Sequence, residues 1–206
     1  MTNLTAEQSI SDYARLSPDL VIDAIEHTGR LSDARVFPLN SYENRVYQVG
    51  LEEALPLVAK FYRPGRWSDA QIREEHAFTC ELAAAELPVI APIANADGET
   101  LFTYGDYRFA LFQRKGGQGM EAGDLDQLHR VGMLLGRVHQ IARQQPFQHR
   151  PALNVERFLS QPVRQVEMRL PSHLLAGYRA VVAQLQRLIE ASGLTQLRAI
   201  RTQGDT

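Results

Sequence analysis

Leu39-Asn40-Ser41-Tyr42-Glu43-Asn44-Arg45-Val46-Tyr47, followed by Leu57-Val58-Ala59-Lys60-Phe61-Tyr62, is the stretch that decides the fold. The apolar runs 34–39 and 46–49 flank a polar segment of the kind that makes a hairpin loop. In the third run the side chains alternate. Val58, Lys60 and Tyr62 therefore share one face of a strand, and Leu57, Ala59 and Phe61 share the other. Lys60 projects from the middle of a sheet, where a buried ammonium must find an anion or reach water. Two readings stand at this point: a lysine that binds an anion, or an edge-strand lysine whose stem lies on the sheet while its head reaches solvent.

The next segment bears on that choice. After the turn at Pro64-Gly65, Ser68-Asp69-Ala70-Gln71 has the spacing of a capping box and predicts a helix over residues 69–86. At 100° per residue Ile72, Phe78 and Leu82 form one apolar stripe, with Glu75 centred in it and Glu74 well off it. A carboxylate on an inward face needs a cation, and Lys60 is the nearest candidate in sequence. The competing assignment pairs Glu75 with Arg63, Arg66 or Arg73 at the surface.

These residues resemble a known family. Residues 39–47, Lys60-Phe61-Tyr62-Arg63-Pro64, Arg66-Trp67, Ile72, Glu74-Glu75-His76, Pro88-Val89, Ala91-Pro92 and His149-Arg150-Pro151 look like the bacterial stress response kinase A family. That family lies in the choline-kinase and aminoglycoside-phosphotransferase branch of the protein-kinase-like fold, and the resemblance runs from Leu16 to Asp205. It implies a cytoplasmic enzyme that uses ATP and Mg²⁺ to phosphorylate serine or threonine of a protein substrate. It also implies roles. Asn40, Ser41, Tyr42, Glu43 and Asn44 would cover the phosphates, Lys60 would bind the α- and β-phosphates, and Glu75 would orient Lys60. Phe112, Gln113 and Arg114 would meet the adenine edge.

The expected fold is α+β and two-lobed: residues 1–115 as an antiparallel, nucleotide-binding lobe with one main helix, and 116–206 as a partial helical lobe. Ser17-Pro18-Asp19 opens a short helix that Gly29 ends. Strands are expected over 88–93, 100–104 and 107–113, with Asp97-Gly98 and Gly105-Asp106 as turns. Arg114-Lys115-Gly116-Gly117-Gln118-Gly119 reads as the hinge between lobes, or as a linker that touches nothing. Beyond it, Leu125, Leu128, Met133, Leu135, Val138 and Ile141 predict a helix over 124–143 and are assigned to its core face.

The last residues, Arg201-Thr202-Gln203-Gly204-Asp205-Thr206, resemble the start of a kinase-like catalytic loop, with Asp205 as the catalytic base. Gln203 stands where the family has histidine and cannot carry its charge. The family's metal ligands, an Asn shortly after the base and an Asp in a following strand, have no counterpart before Thr206, so no metal-binding residue is assigned. The chain is accordingly expected to be the N-terminal part of a longer kinase, marginally stable or aggregation-prone alone. Two alternatives stay open: a small-molecule kinase acting on an amino sugar or amino alcohol, and a non-catalytic nucleotide-binding fragment.

Composition narrows the classes. With 206 residues, 44% hydrophobic content and a net charge of −2, the chain can bury a core and has no basic excess for nucleic acid. Residues 1–9 are polar, without an apolar stretch for a signal or a membrane span, and Cys80 is the sole cysteine, so no internal disulfide forms. A monomer with no nucleic-acid or membrane partner is expected, and Cys80 is read as a packing residue. His27, His76, His129, His139, His149 and His173 show no metal-ligand spacing and are read as surface or loop-stabilising residues.

Overall fold

A computed structural model describes residues 13–202 except 118, 120 and 122. It divides into two compact units between Val138 and His139. Gln203 and Asp205 lie outside the described residues.

In the first unit, five strands form one antiparallel sheet in the order β1-β2-β3-β5-β4. They are β1 (Ser32–Leu39), β2 (Arg45–Leu51), β3 (Leu57–Phe61), β4 (Phe102–Tyr104) and β5 (Tyr107–Gln113). Leu39 pairs with Val46, which closes the hairpin around residues 40–44 as its polar loop requires. The strand bearing Lys60 is central, with β2 on one side and β5 on the other. That position rules out the edge-strand reading of this lysine.

The alternation in β3 sorts its residues between two packed faces. Leu57, Ala59 and Phe61 are buried in a core with Val49, Phe109, Leu111 and, from α1 (Pro18–Glu26), Val21, Ala24 and Ile25. Phe61 stacks on Phe109 at 5.1 Å between ring centroids and meets Tyr47 and Tyr107 edge-on. On the opposite face Tyr62 and Ala110 pack with Leu101 and with Ile72 of α2 (Asp69–Ala84). Each helix covers one face of the sheet, the arrangement by which a small sheet removes apolar area from water on both sides.

Local sequence fixes where these helices start. The Ser17 hydroxyl accepts the Leu20 N–H ahead of α1, Pro18 occupies the first turn, and Gly29 takes a positive φ of 80° beyond its end. At α2 the capping box is complete: Ser68 Oγ accepts from Gln71 N at 3.3 Å, and Gln71 Oε1 accepts from Ser68 N at 2.9 Å. Ser68→Ala should therefore cost about 1 kcal/mol, and a thermal melt should show it as a fall in Tm of roughly 2–4 °C.

Two expectations are corrected in the folded chain. Residues 88–93 form no strand; only Pro92 bridges to Phe112, and the Ile93 N–H donates to the Leu111 carbonyl at 2.7 Å. Pro88 and Pro92 have no N–H to give, so this apolar run cannot sustain a ladder. The expected helix forms as α3 (Leu125–Ala142), but its stripe is not a core: Leu125 is 77% exposed, and Leu128, Met133 and Leu135 also face solvent. Val138 and Ile141 of the same stripe are half-buried; periodicity specifies an amphipathic helix, whereas burial needs a complementary surface, and among the described residues none covers Leu125, Leu128, Met133 and Leu135.

In the second unit a π-helical turn (Glu156–Ser160) leads into α4 (Gln161–Glu167), then α5 (Ser172–Ala191), which ends before Gly193 at a φ of 71°. Arg201 is buried, and its guanidinium donates to the carbonyls of Ile141 at 3.1 Å and Ala142 at 3.4 Å. A cation on terminal helix carbonyls is favoured by their partial negative charge. No helix among the described residues is long and apolar enough to cross a membrane.

Candidate functional site

The sheet brings Lys60 level with Val46 of β2 and Ala110 of β5. Helix phase brings Glu75 to the same face, since Ile72 and Phe78 on either side of it are both buried. Lys60 Nζ lies 3.5 Å from Glu75 Oε1, with the two side chains 18% and 25% exposed. The surface assignment of Glu75 loses two of its candidates, because Arg73 pairs with Asp69 and Glu99, and Arg66 pairs with Glu43. On another side of the ammonium lies the ring of Tyr62, 5.2 Å from Nζ to centroid.

Beside this cation the same face is apolar. In an antiparallel pair, directly opposed residues point to the same side. The register therefore groups Val46, Val58, Phe112 and Leu39 with Lys60, and sets Phe37 opposite Gln48 farther along. Val46, Val58 and Phe112 are half-buried, while Leu39 and Phe37 are exposed. At the rim Arg114 Nε donates to Gln48 Oε1 at 2.8 Å, and Gln113 is exposed. A flat apolar shelf ending in an ammonium suits a flat ring with an anionic tail. Val46, Gln48 and Val58 are further candidates on this face, and strand alternation with the hairpin register suffices to place them.

The loop over residues 40–44 is divided in its commitments. Asn40, Ser41 and Tyr42 are exposed, Tyr42 completely, and the Ser41 hydroxyl donates to the Leu39 carbonyl at 3.4 Å. The Glu43 carboxylate accepts from Arg66 Nε and Trp67 Nε1, both at 3.0 Å, and its carbonyl accepts from the Tyr13 hydroxyl at 3.2 Å. Asn44 is buried and its side-chain oxygen accepts from Arg63 N. The second half of the loop is thereby tied to the segment that leads into α2, which carries Glu75. Side-chain geometry gives Glu43 and Asn44 a tethering part and leaves residues 40–42 open to a ligand.

His76 corrects the surface reading of the histidines. It is 3% exposed, with Nε2 2.7 Å from the Tyr62 hydroxyl and Nδ1 2.8 Å from Thr100 Oγ1. Burial pushes its pKa down to about 4; the charges of Lys60 and Arg73 act in the same direction and Glu75 opposes them. Because the folded value lies below the ordinary 6.5, the unfolded chain binds the extra proton first as pH falls. Stability linked to His76 is complete above pH 6.5 and is lost progressively down to pH 4, by about 3 kcal/mol. Urea unfolding between pH 7 and 4 should show this loss, and His76→Gln should flatten that part of the profile.

Among the described residues no group of three or more His, Cys, Asp or Glu side chains is placed to hold a metal ion.

The chain resembles characterised proteins in sequence and in fold. A family model described as "Phosphotransferase enzyme family" matches residues 35–204. The serine/threonine protein kinase RdoA of Salmonella typhimurium and stress response kinase A of Escherichia coli (strain K12) are each 40% identical over 195 residues, 94% of this chain. The chain spans 59% of the length of these relatives. Among solved structures, amicoumacin kinase hAmiN in complex with AMP-PNP, Ca²⁺ and Ami matches 95% of this chain and 57% of its own at a TM-score of 0.68 and 18% identity. A microcompartment-associated aminopropanol kinase matches 72% of this chain and 48% of its own, with a TM-score of 0.57 and 19% identity. At such identities these two speak for the kinase-like fold alone. The sequence match across residues 35–204 goes further: the chain belongs to the phosphotransferase enzyme family.

Proposed function

We propose that the protein is an ATP-dependent kinase that transfers the γ-phosphate to a serine or threonine hydroxyl of a protein substrate. The observation that carries this reading is the half-buried Lys60–Glu75 pair at the end of an apolar shelf on a central strand. The two relatives named as a serine/threonine protein kinase and a stress response kinase support the choice of reaction and acceptor.

In this reading residues 1–115 form the nucleotide-binding lobe and 116–206 the beginning of the helical one. Val46, Val58 and Phe112 receive the adenine, with the backbone of Phe112, Gln113 and Arg114 along its edge. Lys60 neutralises the α- and β-phosphates, and Glu75 holds the flexible lysine stem where the phosphates arrive. Backbone N–H groups and the Ser41 hydroxyl of the loop 40–42 cover them. Asp205 accepts the proton of the acceptor hydroxyl as its oxygen forms the new bond to γ-phosphorus; the bond from γ-phosphorus to the bridging oxygen breaks, and ADP leaves. Mg²⁺, expected from the family chemistry, would neutralise phosphate charge when bound.

Full-length protein incubated with γ-labelled ATP and a cell extract depleted of nucleotides tests the acceptor. Label recovered as phosphoserine or phosphothreonine in protein is the expected result. Label confined to added amino alcohols or amino sugars would replace the protein substrate with a small molecule. ATP binding without any transfer would reduce the protein to a nucleotide-binding module.

A further inference from the structure

We propose that Tyr62, His76 and Thr100 form a second brace on Lys60, acting as positioning residues that hold the aromatic face against its ammonium while Glu75 holds it by charge. This rests on the reading of Lys60 as the phosphate-binding cation.

The brace crosses three pieces of the sheet and helix layer. Tyr62 directly follows β3, His76 is on α2, and Thr100 lies two residues before β4. The hydroxyl of Tyr62, the two ring nitrogens of His76 and the hydroxyl of Thr100 make one continuous chain of two hydrogen bonds, 2.7 and 2.8 Å long. Tyr62 is 2% exposed and His76 3%, and the bond between them is buried, so it cannot be exchanged for water without opening the fold, whereas the outer bond to Thr100 is part-buried.

A neutral imidazole offers one donor and one acceptor, and each hydroxyl can take either part, so the chain is satisfied in both tautomers. An imidazolium would present two donors and add a second cation beside Lys60. The chain thus holds its geometry with a group that adds no charge next to the phosphate site. Phe112 closes the other side of the imidazole, edge-on at 6.4 Å.

Two consequences for Lys60 follow. The ring of Tyr62 is pinned at its hydroxyl end, which fixes the aromatic face 5.2 Å from Nζ. His76 also neighbours Glu75 on α2, so tethering it to β3 and to the segment before β4 fixes that turn of the helix and keeps the carboxylate within reach of the lysine. A lysine has four rotatable bonds, and a carboxylate alone restrains its head but not the direction of its stem. The ring supplies the missing restraint.

The test measures KM for ATP and kcat in full-length protein for His76→Ala, His76→Gln and Thr100→Val, each below its own unfolding transition. His76→Ala should raise KM for ATP roughly 3- to 30-fold, the range expected for losing a cation–π contact and its alignment. His76→Gln can still hydrogen-bond to the Tyr62 hydroxyl and should recover most of that loss even if it melts lower than wild type. Thr100→Val, at the outer end of the chain, should raise KM by a smaller factor, about 2- to 5-fold. If His76→Ala and Thr100→Val melt earlier but keep KM within twofold of wild type, His76 is a core residue only and the brace is overturned. If His76→Ala does not fold, an unchanged KM in Thr100→Val overturns it alone. Should Lys60→Ala leave KM for ATP unchanged, the failure lies in the nucleotide reading beneath the brace, and it falls separately.

Discussion

Lys60→Ala is expected to lower kcat/KM for ATP-dependent transfer by about 100- to 1,000-fold, as removal of one preorganised charge-stabilising donor does in other enzymes. The fold should survive, because the lysine is central in the sheet but contributes no core packing; the buried face of β3 belongs to Leu57, Ala59 and Phe61. Its loss leaves Glu75, still 25% exposed, able to turn to water, so the stability cost should stay near 1 kcal/mol. Lys60→Arg separates charge from shape. The guanidinium keeps the cation but is planar and longer, and it should recover only part of the activity. Steady-state kinetics beside circular dichroism would check both. Activity equal to wild type in Lys60→Ala would remove the lysine from the site.

Phe61→Ala, one residue along, should fail in the opposite way. Phe61 is fully buried, stacked on Phe109 and edge-on to Tyr47 and Tyr107, with no polar atom to rescue the space left behind. Truncating such a phenylalanine costs about 3–5 kcal/mol through lost burial and the cavity. Domains of ordinary stability hold about 5–15 kcal/mol, so the variant should be partly unfolded at 37 °C or melt well below wild type. Denaturant titration would give the difference directly. A shift under 1 kcal/mol would mean the two faces of β3 are assigned wrongly. The pair of neighbours thus divides site from scaffold by strand alternation alone.

Local patterns were the legible part of this chain. The hairpin at Leu39 and Val46 and the capping box at Ser68 and Gln71 depend on residues a few positions apart, and both formed where expected. The approach of Lys60 to Glu75 was legible too, because strand alternation and helix phase each specify a direction. His76 was not. Its burial depends on Tyr62 and on Thr100, 24 residues away, and a polar ring at the margin of an apolar stripe carries no mark of that partner.

The prolines explain the other local miss. An apolar run over residues 88–93 looks like a strand until the N–H groups absent at Pro88 and Pro92 are set against the ladder they would have to make. The exposed stripe of α3 is a different kind of error, since helical periodicity fixes an element and says nothing of what it packs on. The catalytic assignment of Asp205 and the Gln203 replacement lie outside the described residues and stand as proposals.

The central claim is that the face carrying Lys60 binds the phosphates of ATP. Lys60 and Lys115 are the two lysines of these 206 residues, so within this part of the protein the peptide carrying Lys115 serves as the internal control for the one carrying Lys60. Full-length protein would be treated with an acyl-phosphate derivative of ATP, which acylates a lysine held against the phosphates, and the modified peptides quantified with and without excess ATP. Acylation of Lys60 that ATP suppresses, with Lys115 unprotected, is the predicted result. Lys60 left unmodified, or modified to the same extent in the presence of ATP, would contradict it.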